Sequence, residues 1–216
     1  MRARFFFLAA TVALVACART APLLAPDAKR LDAVGPDSFV VAVTTSKGIF
    51  DLKVHRDWAP RGSDRLYYLF KVHFYDGVRF FRTVENFVTQ FGIHGDTAVS
   101  RAWRDRKFGD DMVARSNVRG TLTFATGGPN SRTTQLFINY KDNSRLDRLG
   151  FAVVGQVVAG MSVVDALYHG YGEGAPRGQG PSQERIGMEG NAYLMKDFPK
   201  MDYIIEARID EEWHHR

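Results

Sequence analysis

Residues 76–92 read DGVRFFRTVENFVTQFG and contain two apolar runs that follow an Asp-Gly pair. An Asp-Gly pair is typical of a tight turn, and the runs 78–84 and 86–92 are rich in Val and Phe, which favour strands. Arg82 stands in the first run and Gln90 in the second. A guanidinium is always charged in proteins, and apolar surroundings destabilise an unpaired charge. The stretch therefore predicts two strands, and the charge of Arg82 within the first of them requires an explanation.

Side-chain alternation along these strands predicts which groups face each other. It places Phe80 and Arg82 on one face of the first strand, and Val88 and Gln90 on one face of the second. Because the strands are close in sequence, we expect them to pair, so that Arg82, Val88 and Gln90 line one concavity. Phe87 could also reach this concavity if the sheet bends at its rim. The alternative is a surface arginine whose aliphatic stem covers apolar neighbours.

The same strand composition recurs along the chain and predicts a mainly β fold. The further strand-like runs are SFVVAVTT (38–45), GIFDLKVH (48–55), GTLTFAT (120–126), TQLFINY (134–140), FAVVGQVV (151–158) and DYIIEARID (202–210). Helical patterns are confined to a segment that begins at Pro60 and ends before Asp76, and to residues 160–170. A polar loop over 93–119 and a flexible Gly-rich insertion over 170–192 complete the prediction. Short antiparallel strands with two helices indicate a β-barrel or sandwich.

Composition excludes several classes of protein. The chain has 216 residues, a formal net charge of +5 and one cysteine. One cysteine cannot form an internal disulfide, and a domain of this length can bury a sufficient core without one. Basic residues are interspersed with acidic ones, which is typical of a solvated surface and not of a nucleic-acid-binding stripe. We therefore expect no nucleic-acid partner, and no His or Cys spacing predicts a metal site.

The first 20 residues, MRARFFFLAATVALVACART, predict an export signal and not part of the fold. A basic start is followed by an apolar run, Phe5 to Ala16, that is too short to span a bilayer comfortably. The ending LVAC resembles the lipobox of bacterial lipoproteins, in which the cysteine is lipidated. That resemblance implies lipidation at Cys17. Ordinary cleavage after Ala18 and an uncleaved anchor are the alternatives.

These features predict four parts of the chain. Residues 1–17 are a signal peptide that ends at Cys17, and residues 18–37, with three prolines, are a flexible tether. Residues 38–212 form one domain, and residues 213–216 are a tail. The expected location is extracytoplasmic, in the periplasm or cell envelope, with a lipid anchor holding the chain to a membrane.

The order of five segments resembles the cyclophilin family of peptidyl-prolyl isomerases. The segments are FYDGVRFFR (74–82), NFVTQFG with GD (86–96), FATGGPNSRTTQLFI (124–138), LD (146–147) and FAVVGQVVAGMSVVD (151–165). The resemblance covers about residues 38 to 209. It implies a cyclophilin-like closed antiparallel eight-stranded β-barrel capped by two α-helices. It also implies a monomer without a cofactor that acts on proline-containing unfolded or exported polypeptides.

The resemblance also implies a site. Arg82 and Gln90 are the implied catalytic residues. The implied substrate-binding residues are Phe87, Val88, Thr126, Gln135, Phe137, Leu146 and Phe151. The chain departs from the family at Phe81, where a histidine is common, at Thr126, where asparagine is usual, and at Arg145, where many members have tryptophan.

Three functions follow as alternatives. The first is an enzyme in which Arg82 donates a hydrogen bond to the twisted prolyl amide in an apolar pocket, which would explain a charge among Phe and Val. The second is a non-catalytic module that binds proline-containing segments as a chaperone or envelope scaffold. The third is an anchored structural lipoprotein without a peptide site.

Overall fold

The computed structural model describes residues 22–214, and an antiparallel sheet of eight strands is its central element. The strands are β1 (Ser38–Thr45), β2 (Gly48–His55), β3 (Arg82–Val84), β4 (Val88–Phe91), β5 (Thr121–Phe124), β6 (Leu136–Asn139), β7 (Val153–Ala159) and β8 (Ile204–Trp213). The helices are α1 (Ala28–Leu31), α2 (Pro60–Lys71), α3 (Thr97–Trp103), α4 (Met161–Asp165), α5 (Gln183–Asp197) and a 3₁₀ helix (Ser144–Leu149). The prediction of a mainly β, eight-stranded fold is confirmed.

The sheet curls so that its two edges meet. The hydrogen-bonded order is β3-β4-β6-β5-β7-β2-β1-β8, with β3 and β8 at the edges. Backbone bonds join the residues just before β3 to the start of β8: Gly77 N donates to Ile204 O at 2.8 Å, and Ile204 N donates to Val78 O at 2.8 Å. These bonds satisfy backbone groups that an open edge would leave exposed.

The hairpin of β1 and β2 follows directly from its sequence. Buried and partly exposed residues alternate strictly along β1, with Phe39, Val41 and Val43 buried. The register pairs Thr45 with Gly48 across the turn. Gly48 has a φ of +129°, which glycine tolerates because it lacks a Cβ. One face of the hairpin therefore contributes to the main core, as the period of two predicts.

The structure contains more helices than the two predicted. Helix α3 lies in the predicted loop 93–119, where the side chain of Asp96 accepts hydrogen bonds from the first turn. Helix α5 lies in the predicted Gly-rich loop, and its backbone departs from helical geometry at Gly190, where φ is 63°. Few buried side chains in α3 and a kink in α5 weaken the helical periodicity that sequence analysis depends on.

The predicted strand 78–84 is also shorter than expected. Strand β3 begins only at Arg82, and the predicted common face of Phe80 and Arg82 is wrong. Phe80 packs in the main core, 5.2 Å from Phe91 between ring centroids, whereas Arg82 pairs with Gln90. Because Phe80 and Phe81 lie outside the strands of the sheet, side-chain alternation does not carry through from Phe80 to Arg82.

A second core fixes α5 to the sheet. Phe81 is buried together with Ile186, Tyr193 and Leu194 of the helix, and with Met201 before β8. Phe81, the residue that replaces the family's histidine, therefore packs against α5 and not in the predicted pocket. Burial of large apolar side chains is the main favourable contribution to this attachment.

The part of the predicted tether that the structure describes, residues 22–37, packs on the domain. Leu23 is buried, and its carbonyl accepts a hydrogen bond from Trp103 Nε1 at 2.9 Å. Asp27 N donates to Tyr68 Oη at 3.1 Å, and Gly35 N donates to an oxygen of Asp64 at 2.9 Å. Between residues 22 and 214, no helix combines the length and hydropathy needed to cross a bilayer.

We expect Trp103→Phe to lower the free energy of unfolding by about 1–3 kcal/mol, because the buried Leu23 carbonyl loses its donor. Denaturant unfolding measures this change. The matched control is Trp213→Phe, whose side chain is exposed and whose replacement should change the free energy by less than about 0.5 kcal/mol. Equal effects of the two substitutions would contradict the packing described for the N-terminal segment.

Candidate active site

Three predicted residues lie in one row across the sheet. Arg82 pairs with Gln90 in the β3–β4 ladder, and Gln90 pairs with Phe137 in the β4–β6 ladder. Side chains of directly paired residues emerge on the same face of a sheet and contact each other. The guanidinium, the amide and the aromatic ring are thus neighbours, on the face opposite the main core.

This row opens into a cavity of about 600 Å³. All the predicted site residues within the described part of the chain line it: Arg82, Phe87, Val88, Gln90, Thr126, Gln135, Phe137, Leu146 and Phe151. The predicted lipidation residue, Cys17, lies outside the described residues. The structure thus brings together residues from strands β3, β4 and β6, from the 3₁₀ helix and from the loops between these elements.

One wall of the cavity is apolar. Val88, Phe137 and Leu146 are buried and form a cluster separate from the main core, with Phe87 and Phe151 packed against it. The rings of Phe137 and Phe151 meet edge to face, with centroids 5.7 Å apart. Rigid apolar side chains of this kind suit a compact apolar ring and exclude water from around it.

Hydrogen bonds between side chains of the sheet orient the guanidinium of Arg82. Arg82 Nη1 donates to Gln90 Oε1 at 3.1 Å, and Gln90 Nε2 donates to Gln135 Oε1 at 2.9 Å. The guanidinium carbon also lies 5.5 Å from the centroid of the Phe87 ring. The guanidinium carbon of Arg145 lies 5.0 Å from the centroid of the same ring. Hydrogen bonding and cation–π attraction together compensate the charge of Arg82 in its apolar surroundings.

An acidic residue that sequence analysis missed also binds Arg82. Glu173 accepts from Arg82 Nε at 2.5 Å and from Arg82 Nη2 at 2.7 Å, a bidentate ion pair. The hydrogen bond from Arg82 is the main cause that lowers the pKa of Glu173 below its ordinary value of 4.5. The pairing spans 91 residues of sequence. Its one sequence clue is an isolated acid in a glycine-rich stretch.

Buried asparagines hold the pocket from behind. Asn117, Asn139 and Asn143 are buried and hydrogen-bonded to one another. Asn143 Nδ2 donates to the carbonyl of Phe87 at 2.9 Å, and Asn117 Nδ2 donates to the carbonyl of Phe151 at 2.8 Å. These hydrogen bonds restrain the backbone at Phe87 and Phe151 and so fix the positions of two pocket aromatics.

Thr126 lies at the rim, and its side chain stabilises its own turn. Its hydroxyl donates to Gly128 O and is 2.9 Å from the hydroxyl of Ser131. Ala125 N donates to Gln135 O at 2.9 Å, which ties this turn to the approach to β6. The threonine that replaces the usual asparagine thus shapes the loop that borders the cavity.

A second cavity of about 450 Å³ adjoins the first. Thr133, Gln135 and Gln183 line both cavities, so the two lie side by side. His94 and Trp103 lie on the far wall. Burial lowers the pKa of His94, which favours its neutral imidazole.

Comparison with known proteins identifies the class of protein that this fold and site define. Residues 40–186 match the family model described as cyclophilin type peptidyl-prolyl cis-trans isomerase/CLD. The chain belongs to the cyclophilin-type peptidyl-prolyl cis-trans isomerase family, and is thus an enzyme of the peptidyl-prolyl isomerase class.

Individual relatives agree with this assignment. A peptidyl-prolyl cis-trans isomerase of Acinetobacter baylyi is 32% identical over 133 residues, which are 59% of this chain and 71% of the relative. Peptidyl-prolyl cis-trans isomerase B of Escherichia coli is 30% identical over 176 residues, 78% of this chain and 97% of the relative. A crystal structure of a Cryptosporidium parvum cyclophilin-type isomerase has the same fold, with a TM-score of 0.60 and 18% identity over 81% of this chain and 99% of that one.

The Arg82–Glu173 pair makes stability depend on pH. We expect Glu173→Gln to lower the free energy of unfolding at pH 7 by up to about 1 kcal/mol, a small effect because the Glu173 side chain is 32% exposed. Because the pKa of Glu173 is lowered from 4.5, the carboxylate stabilises the fold fully above pH 4.5 and loses this contribution as pH falls through the lowered pKa.

Denaturant unfolding of wild type and Glu173→Gln at pH 7 and near pH 3 checks this. The difference between the two proteins should shrink at the lower pH. A difference that is the same at both pH values would contradict a charge-based interaction.

Proposed function

We propose that the chain accelerates rotation about X-Pro peptide bonds in exported polypeptides, with Arg82 as the catalytic hydrogen-bond donor. The observation that carries this proposal is the position of the Arg82 guanidinium, oriented by Gln90 on the same face of the sheet as the apolar wall around Phe137. A donor and a ring-sized apolar wall in one cavity are what the reaction requires.

The barrier to this reaction arises from amide resonance. The planar X-Pro bond must lose its partial double-bond character, at a cost of about 18–20 kcal/mol, before it can rotate. Without assistance the exchange takes tens to hundreds of seconds. No covalent intermediate or proton transfer is required, so a site without an acid–base pair can perform the reaction.

A fixed donor lowers this barrier selectively. In the twisted amide the prolyl nitrogen becomes pyramidal and gains a lone pair, which the planar states lack. An N–H group aimed at that nitrogen binds the twisted state more strongly than either planar state, and this difference is catalysis. Arg82 suits the task because its guanidinium is planar, rich in donors and permanently charged.

The apolar wall supplies the second requirement. A proline ring seated against Phe137, Leu146 and Val88 would remain fixed while the preceding residue rotates about the bond. The same side chains exclude water, which strengthens the hydrogen bond from Arg82. The adjoining cavity, which shares Gln135, would accept chain residues on one side of the proline.

A non-catalytic module that binds proline-containing segments is the second candidate. The observation that favours it is the Arg82–Glu173 ion pair, which occupies two of the guanidinium nitrogens. Binding of an X-Pro peptide without faster cis–trans exchange would support the module. Failure to bind such a peptide would support a purely structural role.

We expect Arg82→Ala to reduce isomerisation at least tenfold, because the proposed donor to the prolyl nitrogen is lost. Arg82→Lys should also be impaired, since a point charge on a flexible stem does not reproduce the planar donor. Exchange NMR of a short X-Pro peptide measures the rate, and circular dichroism checks that the variants fold.

The matched control is Arg119→Ala, which removes an exposed arginine paired with Asp165 at 2.7 Å. This variant should retain wild-type activity. If Arg82→Ala exchanges the peptide as fast as the control, Arg82 has no catalytic role.

The cellular setting is a separate proposal and rests on the N-terminal sequence. The basic start, the short apolar run and the motif LVAC support export and lipidation at Cys17. The chain would then act at a membrane surface in the cell envelope on proline-containing, newly exported polypeptides, as a monomer.

Mass spectrometry of the mature protein from an exporting bacterial host tests this. The expected N-terminal residue is Cys17 with an added lipid mass, and Cys17→Ser should abolish that modification. An unmodified N-terminus at Arg19, or an intact Met1, would contradict lipidation.

A further inference from the structure

The glycine-rich segment, residues 170–180 (GYGEGAPRGQG), folds back on itself around one acid. Gly180 N donates to Glu173 O at 2.8 Å, and Ala175 N donates to Gly180 O at 3.0 Å. Residues Gly174 and Gly180 form a parallel bridge. The predicted flexible insertion is therefore a hydrogen-bonded loop with Glu173 near its start.

The backbone passes so close to Glu173 at two positions that only glycine fits there. A Cβ added at Gly178 would lie 2.4 Å from Glu173 O and 2.9 Å from Glu173 Cβ. A Cβ added at Gly180 would lie 2.8 Å from the same carbonyl oxygen. Because real Cβ atoms do not approach backbone this closely, any larger residue would displace the loop from Glu173. The glycine content thus serves the placement of this acid.

The loop is also registered against the strand that carries Arg82. Gly172 forms an antiparallel bridge with Thr83 of β3. Because Gly172 and Thr83 are the chain neighbours of Glu173 and Arg82, backbone pairing sets the two charged side chains beside each other. Glu173 Oε1 also accepts from Gly174 N at 3.0 Å, which restrains the carboxylate itself.

The resulting hydrogen bonds immobilise the guanidinium of Arg82 but leave some of its N–H groups available. Arginine has five N–H groups. Glu173 accepts from Nε and Nη2, and Gln90 accepts from Nη1. Counting the hydrogen bonds formed within residues 22–214, one N–H remains on each terminal nitrogen for a substrate. A bidentate carboxylate fixes the plane of the guanidinium, which a single amide cannot do alone.

From these observations we propose that Glu173 is a positioning residue for catalysis, which holds the plane of Arg82 so that its remaining N–H groups point at the substrate amide. This inference rests on the proposed role of Arg82 as the donor. The free enzyme orders a long, flexible side chain in advance, so the ordering does not have to occur during each turnover. Glu173 contributes through Arg82 and does not contact the reacting atoms.

A carboxylate that occludes the site would have the opposite effect on rate. A loop that occluded the site would have to move away when substrate enters, so removing the Glu173 carboxylate would raise the isomerase activity. The loop around Glu173 is instead held by backbone bonds on both sides of the acid and by the bridge to β3. These contacts suit a permanent support.

Steady-state kinetics of Glu173→Gln on a short X-Pro peptide, followed by exchange NMR, tests the proposal. We expect kcat to fall by about three- to tenfold while KM changes less than about twofold, because orientation and not binding is lost. The matched control is Glu189→Gln, which breaks the exposed Arg185–Glu189 ion pair on α5 and should leave both parameters unchanged.

A double-mutant cycle separates positioning from a structural role. In an Arg82→Ala background, Glu173→Gln should have no further effect, because Glu173 acts only through Arg82. The Nε–H resonance of Arg82 should also shift and exchange faster with water in Glu173→Gln. A collapsed loop would instead reduce peptide binding in both backgrounds.

Three results would overturn the proposal. The first is a higher kcat/KM in Glu173→Gln, which would mean occlusion. The second is an equal effect of the substitution with and without Arg82. The third is wild-type kinetics in Glu173→Gln while Arg82→Ala is inactive, which would leave the proposed function intact. An inactive wild type would instead contradict the proposed function itself.

Discussion

The structure depends on one compensated charge: the guanidinium of Arg82, held between Gln90 and Glu173 beside an apolar wall. An isolated cation would not be stable in that environment. Gln90, Glu173 and the Phe87 ring compensate its charge. Gln90 binds the guanidinium from the sheet, and Glu173 binds it from the glycine-rich segment. The remaining donors are those that a peptide in the cavity can use.

The fold supplies this arrangement by using both faces of one curled sheet. Phe91 of β4 packs in the main core, whereas its neighbour Gln90 belongs to the site on the opposite face. The buried asparagines then secure the loops behind the pocket, and helix α5 packs on Phe81 next to Arg82. A rigid scaffold with the chemistry on one face is suited to a reaction that needs orientation more than reactive groups.

Much of this could be predicted from the sequence, for identifiable reasons. The β1–β2 hairpin has a strict period of two, so its strands could be predicted. The motifs around Arg82 and Phe137 are specific in combination, and the nine predicted site residues that the structure describes all line one cavity. The Glu173 contact could not be predicted, because it depends on a tertiary bridge between Gly172 and β3. Local irregularity explains the other misses, at Phe80 and in helices α3 and α5.

A crystal structure of the chain with a bound X-Pro peptide tests the central claim most directly. The account predicts a proline ring against Phe137 and Leu146, with a terminal nitrogen of Arg82 about 3 Å from the prolyl amide. It also predicts that Glu173 remains bound to the opposite part of the guanidinium. A peptide seated elsewhere, or an Arg82 side chain turned away from the bound proline, would contradict it.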